Sequence, residues 1–351
     1  MSDANPYIAE MLRVSAQGYA AHAAERLLEQ HPDCAARFGR SAFVDWQAHL
    51  AQWLRELAIA VELDEPALFS SQVQWIRDAF GARAMGVEDL RHGLAALRWA
   101  LDHELPADAA ALPVRCIDAA LQGLDSPPRP PARLQPDTEA ARIALAYVEA
   151  AVSGDQRGAA RIVMDAAEGG LSIEAAYEQV LLPAQVEIGT MWHLGEIGIA
   201  EEHVATETTR TLIALLAWNA ASSPNRPPLT LVAGAEGDRH DIGVRATAGL
   251  LEADGFRAVS LGGDVPVHEL ARAVGESLPG VVILSATLAV HLAPLRRAIS
   301  ALRDLELDTP PHILVAGSAL TGAPHLAKKL GADGSVSSPQ DAVEAVRAFG
   351  G

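Results

Sequence analysis

Three residues in the order D-x-H-x-x-G, Asp238, His240 and Gly243, have the types and spacing best suited to chemistry. An imidazole can ligate a transition metal through one ring nitrogen while a nearby carboxylate bonds the other and fixes the tautomer. Asp238 is placed for that second role, Arg239 and Asp241 flank His240, and Gly243 lets a ligand approach the main chain closely. The apolar run Leu229–Ala235, bounded by Pro227-Pro228 and Gly237, predicts a buried strand, and Val244–Glu252 predicts a helix after the loop. A loop at the carboxyl end of a first parallel strand is where open α/β sheets bind ligands. Taken alone, this spacing is equally compatible with a polar loop carrying an incidental histidine.

Two later segments change that balance. Ser285-Ala286-Thr287 follows Gly243 after 41 intervening residues and ends the apolar run Val281–Leu284. Ala316-Gly317 follows Thr287 after 28 more and ends the run Ile313–Val315. Together they resemble the cobalamin-binding signature DxHxxG…SxL…GG of methionine synthase, the cobalamin mutases and B12 photoreceptors. Thr287 replaces the usual Leu and Ala316 the first Gly, and both are small enough to leave room for a ligand tail. The resemblance implies that His240 is the lower axial cobalt ligand in place of the cofactor's own base, with Asp238 holding it. The displaced tail would enter the sheet between Gly243, Ser285 and Gly317, beside Thr287. Gly262-Gly263, in a glycine-rich turn after the next strand, would face the corrin edge.

A second motif precedes these. Trp192 is followed, after nine residues, by Glu202-His203. This resembles the W-x9-EH motif of the adenosylcobalamin-dependent light-sensing module known from repressors of bacterial carotenoid genes. The resemblance implies that Trp192 packs beside an adenosyl group, that Glu202 and His203 contact its ribose and adenine, and that His193 captures cobalt from above once that group has left. The plainer alternative is a core tryptophan with a capping Glu-His pair.

The elements that must position these residues follow from the remaining pattern. Residues 229–351 alternate as βαβαβαβαβα, with strands at Leu229–Ala235, Ala258–Leu261, Val281–Ser285, Ile313–Ala316 and Gly334–Val336, which predicts a five-stranded doubly wound parallel sheet. Helices are expected near Val244, Pro266, Ala289, Gly322 and Pro339. Residues 137–222 predict a four-helix bundle, its starts marked by Asp137-Thr138-Glu139, Gly154-Asp155 and Ser172, its last helix Ala200–Ala221. In the B12 families such a bundle covers the upper corrin face. Residues 125–136 read as a stiff linker, since five prolines fall between Ser126 and Pro136.

Residues 1–124 predict an all-helical domain over Tyr7–Gln30, Ser41–Leu63, Pro66–Phe80 and Val87–Leu105, with a shorter helix at Leu112–Leu124. The segment faintly resembles the globin-like domains of stress-response regulators. It holds four of the six tryptophans and the histidines His22, His31, His49, His92 and His103. A plain aromatic core is one reading; a pocket for a second chromophore, biliverdin before haem, is the other, as in the photocobilin sub-family of B12 receptors.

At 351 residues and net charge −18 the chain is long enough for several domains and too acidic for a nucleic-acid-binding face. Two cysteines make no disulfide framework, and neither a signal peptide nor a long apolar run is evident, so a cytoplasmic protein without a membrane span is expected. The reading these features imply is a B12-dependent photoreceptor, not an enzyme: light would cleave the cobalt–carbon bond, change domain packing and homo-oligomeric state, and so signal to a protein partner. The alternative is a corrinoid methyl carrier of a methyltransferase system.

Overall fold

The computed structural model describes residues 4–82, 86–126, 133–220 and 226–349. The chain divides into two compact units, residues 1–130 with 193–195, and residues 131–192 with 196–351.

The first unit is all helix: α1 (Ala4–Val14), α2 (Ala16–Gln30), α3 (Pro32–Phe38), α4 (Ala42–Glu62), α5 (Pro66–Ala82), α6 (Val87–Glu104) and α7 (Ala107–Gly123). Its core is built on Trp46, Leu50, Leu54, Leu57, Phe69, Leu90 and Leu97, all essentially inaccessible to solvent. Three departures from the sequence pattern have local causes. The helix expected over 7–30 breaks at Ser15, whose φ of −95° and ψ of 10° interrupt it. Pro32 at the first helical position starts α3, where no helix is expected, because its fixed φ is already helical. Helix α7 starts at Ala107 rather than Leu112 and carries Pro113 inside it, forgoing one amide bond while burying the ring.

In the second unit, α8 (Glu139–Val152), α9 (Gln156–Glu168), the short α10 (Ile173–Ala175), α11 (Leu182–His193) and α12 (Ile199–Ala220) form the helical part. Three starts are capped where the sequence marks them: Thr138 Oγ1 accepts from Ala141 N–H, Asp155 Oδ1 from Gly158 N–H and Ser172 Oγ from Ala175 N–H, at 2.9–3.1 Å. Between α10 and α11 the backbone widens to a π-turn over Ala176–Leu181. There the buried Tyr177 hydroxyl donates to Ile213 O at 2.8 Å.

The sheet comprises β1 (Arg226–Gly234), β2 (Phe256–Gly262), β3 (Val281–Ser285), β4 (His312–Ala316) and β5 (Gly334–Ser335), all parallel, in the order β2-β1-β3-β4-β5. Helices α13 (Ile242–Ala253), α14 (Val267–Ser277), α15 (Leu292–Arg303), α16 (His325–Leu330) and α17 (Pro339–Phe349) cover it. The expected doubly wound sheet is present, with β1 and β2 starting earlier than their apolar runs suggest and β5 shortened to two residues. The helix expected near Gly322 starts only at His325. Strand order reverses between β1 and β3, where α/β sheets open a crevice at their carboxyl ends. Register does the rest: Gly234 pairs with Ser285 and Ser285 with Ala316, so the ends of the three signature segments lie side by side. One hydrophobic core joins bundle and sheet, running from Tyr147, Tyr177 and Leu212 through Val244 and Leu251 to Val232 and Ile283. Of the linker, residues 127–132 lie outside the described residues, as do 221–225 of the expected bundle-to-sheet connection. Among the described residues no helix is long and apolar enough to cross a membrane.

Candidate functional site

The carboxyl ends of β1 and β3 present one polar cluster. Asp238 is wholly buried, and its Oδ1 accepts both the His240 main-chain N–H at 3.1 Å and His240 Nδ1 at 2.8 Å. Its Oδ2 accepts the Thr287 N–H at 2.6 Å. His291 Nδ1 lies 3.3 Å from the same Oδ2 but lacks hydrogen-bond geometry, so the Thr287 amide is the partner that decides the carboxylate's orientation. Burial by itself would push Asp238 up; the donors from His240, the neighbouring His291 and the two main-chain amides outweigh it and hold the group well below the usual carboxylate range. Asp238 is therefore an anion, and His240 carries its proton on Nδ1 against it. The bond to Asp238 also raises the His240 pKa above its ordinary value, against burial, with a further contribution from the charge of Glu202.

The loop is braced on three sides. From β2, Asp264 N–H donates to Asp238 O and Asp264 Oδ1 accepts Gly237 N–H, both at 2.7 Å. A β-carbon on Gly263 would stand 2.6 Å from Asp238 O, so this glycine is required by loop packing. From β4, Gly317 has φ +103°, and a β-carbon there would overlap the Ala286 carbonyl. Ser318 Oγ then donates to Thr287 O at 2.8 Å. From the bundle, Arg210 on α12 donates through Nε to the buried Asp241 at 2.7 Å and through a terminal nitrogen to Arg239 O at 3.3 Å. Arg245 Nε holds the other Asp241 oxygen at 2.6 Å.

The residues singled out in the sequence divide accordingly. Asp238, His240, Asp241, Ser285, Thr287 and Gly317 converge at the crevice, and Gly243 and Gly262 border it with nothing within 4 Å of the place where a side chain would start. Glu202, in the first turn of α12, stands close enough for its charge to act on His240. Its carboxylate is also engaged locally, by His203 Nδ1 at 2.5 Å and Thr206 Oγ1 at 2.7 Å. Trp192 is half-buried near the end of α11, and His193 groups with the first unit instead of the unit that carries His240. Four residues escape the sequence reading. His291 and Asp264 follow signature turns and could have been found by asking what else those turns hold. Arg210 gives no signal in the sequence. Arg133, in the nominal linker, bonds Glu187 at 2.7 Å and Glu196 at 2.7 and 3.0 Å, bracketing Trp192.

This donor set suits a metal-centred macrocycle. The Asp238 bond occupies His240 Nδ1 and leaves Nε2 as the ring's basic nitrogen, on a side chain 58% exposed at the rim of an open crevice. Residues 144–217 match a family model described as a B12 binding domain, and residues 228–347 match a second of the same description. This chain is a cobalamin-binding protein. A corrinoid protein of Desulfitobacterium hafniense is 24% identical over 200 residues, covering 56% of this chain and 92% of its own. The trimethylamine corrinoid protein of Methanosarcina barkeri is 27% identical over 203 residues, covering 57% and 93%. The solved monomethylamine corrinoid protein of Methanosarcina barkeri shares the fold, with a TM-score of 0.52 at 20% identity over 59% of this chain and 98% of that one.

These relatives correct the functional expectation. All three are corrinoid proteins and two of them are named for methylamines, so the photoreceptor reading, with its light-driven reassembly and signalling partner, is set aside. The physical reason it misled is that the features shared by both classes dominate the sequence: a bundle over a parallel sheet, with a histidine at the strand end, serves any corrinoid whatever its upper ligand. The distinguishing W-x9-EH motif rested on polar groups that here have partners of their own in Thr206 and in each other.

Proposed function

We propose that the chain is a corrinoid methyl carrier, the non-enzymatic component that receives a methyl group from one methyltransferase and delivers it to another. The observation that supports this best is the Asp238–His240 pair braced by Thr287 N–H at the crevice, in a unit whose relatives are methylamine corrinoid proteins. When bound, the corrinoid supplies a cobalt centre that accepts and releases a methyl group. The protein's part is to bind and tune it. His240 Nε2 would hold the metal, Asp238 would keep the ring in the required tautomer, and Gly243, Ser285 and Gly317 would admit the cofactor's tail. Trp192, Glu202 and His203 would serve a cofactor that carries a methyl group and not the adenosyl group that their motif suggests. The biliverdin expectation concerns residues 1–124, outside the matched 144–347, and forms no part of this reading.

The test uses the full chain reconstituted with hydroxocobalamin and reduced in an extract of its source organism. Methanol and mono-, di- and trimethylamine, each isotopically labelled in the methyl group, are supplied in turn. Label should appear on the protein-bound corrinoid with at least one donor and be lost in His240→Ala. A loaded wild-type chain that takes label from none of them would refute the carrier assignment.

A further inference from the structure

The first unit holds a cluster that corrinoid binding does not use. Among the described residues, one set of three metal-capable side chains brings its ligand atoms within 4.8 Å of one another: Asp33, Cys34 and Asp89. A fourth donor joins at the sulfur, since His92 Nδ1 lies 4.0 Å from Cys34 Sγ. The fold has assembled these from distant stretches. Asp33 and Cys34 occupy the first turn of α3, and Asp89 and His92 are three residues apart on one face of α6. Cys34 and Asp89 are buried, while Asp33 is exposed at the mouth.

The geometry points to a site for a tetrahedral transition-metal dication, zinc being the natural occupant, with Cys34, Asp89, His92 and Asp33 as ligands. Zinc takes thiolate, imidazole and carboxylate donors at about 2.0–2.3 Å, which sets the ligand–ligand edge of a tetrahedron near ~3.5 Å. Cys34 Sγ to Asp89 Oδ1 is 3.5 Å and Cys34 Sγ to His92 Nδ1 is 4.0 Å, so both contacts of the sulfur stand near that spacing, while Asp33 gathers within 4.8 Å of Cys34 and Asp89 and the His92 ring would have to turn in to complete the set. Three of the four donors are also held from behind. Asp89 Oδ2 accepts the Gly86 N–H at 2.9 Å, aiming Oδ1 at the sulfur. The His92 ring stacks on His31 at 3.5 Å between centroids and 10° between planes. The Cys34 main chain accepts Trp46 Nε1 at 3.5 Å. The donor set separates the choice of ion, because a thiolate with an imidazole selects zinc over magnesium or calcium. Binding would form a zinc–sulfur bond and release the Cys34 thiol proton to solvent, with no change of oxidation state.

The experiment is zinc titration of the full chain, prepared free of corrinoid and of metal, in competition with a chromogenic chelator. One zinc per chain is expected, with Cys34→Ser weakening uptake by more than about 100-fold and His92→Ala by at least about tenfold, while Cys116→Ser changes nothing. Cobalt(II) in place of zinc should give a thiolate charge-transfer band that Cys34→Ser abolishes. Should Cys34→Ser fail to fold, alkylation of the wild-type chain read by mass spectrometry decides the matter: zinc should slow modification of Cys34 at least tenfold and leave Cys116 unaffected. Wild-type protein that takes up no zinc, uptake equal in Cys34→Ser, or a Cys34 alkylation rate indifferent to zinc would each overturn the site.

Discussion

Replacing Asp238 by asparagine removes one charge and one acceptor from the point where the cofactor loop is fixed. Three N–H donors converge on the wild-type carboxylate: His240 main chain, His240 Nδ1 and Thr287 main chain. Asparagine offers a single acceptor oxygen, and its amide must turn its own N–H groups toward at least one of those donors. A hydrogen bond to a charged group contributes about 1.5–3 kcal/mol, and a buried donor left unpaired costs about 1–3 kcal/mol. Asp238 and its main-chain donors have no recourse to solvent, whereas the His240 ring is 58% exposed and can turn to water, and we expect the second unit to lose roughly 2–4 kcal/mol of stability. Cobalamin affinity should fall about 10–100-fold, the usual consequence of losing the carboxylate behind a ligating histidine. Urea unfolding followed by circular dichroism, with and without hydroxocobalamin, identifies the second unit's transition as the one the cofactor shifts. Spectral titration gives the affinity. An Asp238→Asn protein with wild-type midpoint and wild-type affinity would show that the three bonds do not hold the loop, and the site description would fail with them.

Other consequences are narrower. Gly317→Ala combines a φ of +103° with overlap on the Ala286 carbonyl and should cost at least about 1–3 kcal/mol, read as a lowered midpoint of the same transition. Arg210→Ala leaves buried Asp241 with Arg245 alone and should destabilise by about 1–3 kcal/mol and raise hydrogen exchange across residues 238–242; unchanged exchange would mean that α12 does not brace the loop. In the first unit, burial raises Glu56 to about 7, against hydrogen bonds from Gln52 and Gln72, and leaves its Oε2 without a partner. Its folded pKa lies above the unfolded one, so its own contribution to stability is greatest at acid pH and declines between about 4.5 and 7 as only the unfolded chain ionises. Glu56→Gln should therefore stabilise this unit by up to about 3 kcal/mol at pH 8 and little at pH 4, measured by urea midpoints at both.

Much of the second unit is legible in the sequence because its signals are local. Three apolar runs end in small or polar residues, and parallel register alone brings Gly234, Ser285 and Ala316 together once the runs are strands. Asp238 and His240 are two residues apart, so their bond needs no tertiary knowledge. What stays hidden is set by packing. Arg210 is an ordinary helical arginine until α12 is laid across the loop, and Arg133 reads as linker until it meets Glu187 and Glu196. The first unit shows the converse: periodicity finds most of its helices, yet α3 is missed, because a seven-residue helix is too short to display a repeat. That helix is the one that carries Cys34.

The second unit is held unevenly around the His240 loop. Its lower side is over-determined, since the loop with His240 is held from β2 by Asp264, from β3 by Thr287 and from α12 by Arg210. The face opposite is held differently. Helix α12 shares the core through Ala205, Leu212 and Leu216, but its first turn, with Glu202 and the exposed His203, contributes no buried apolar residue. Helix ends that bury little open at low cost, while core-packed segments do not. The loop that carries His240 is thus fixed, while the segment Ile199 to His203 buries little and can shift at low cost. Such an asymmetry would let a cofactor held through His240 stay in place while the first turn of α12 moves.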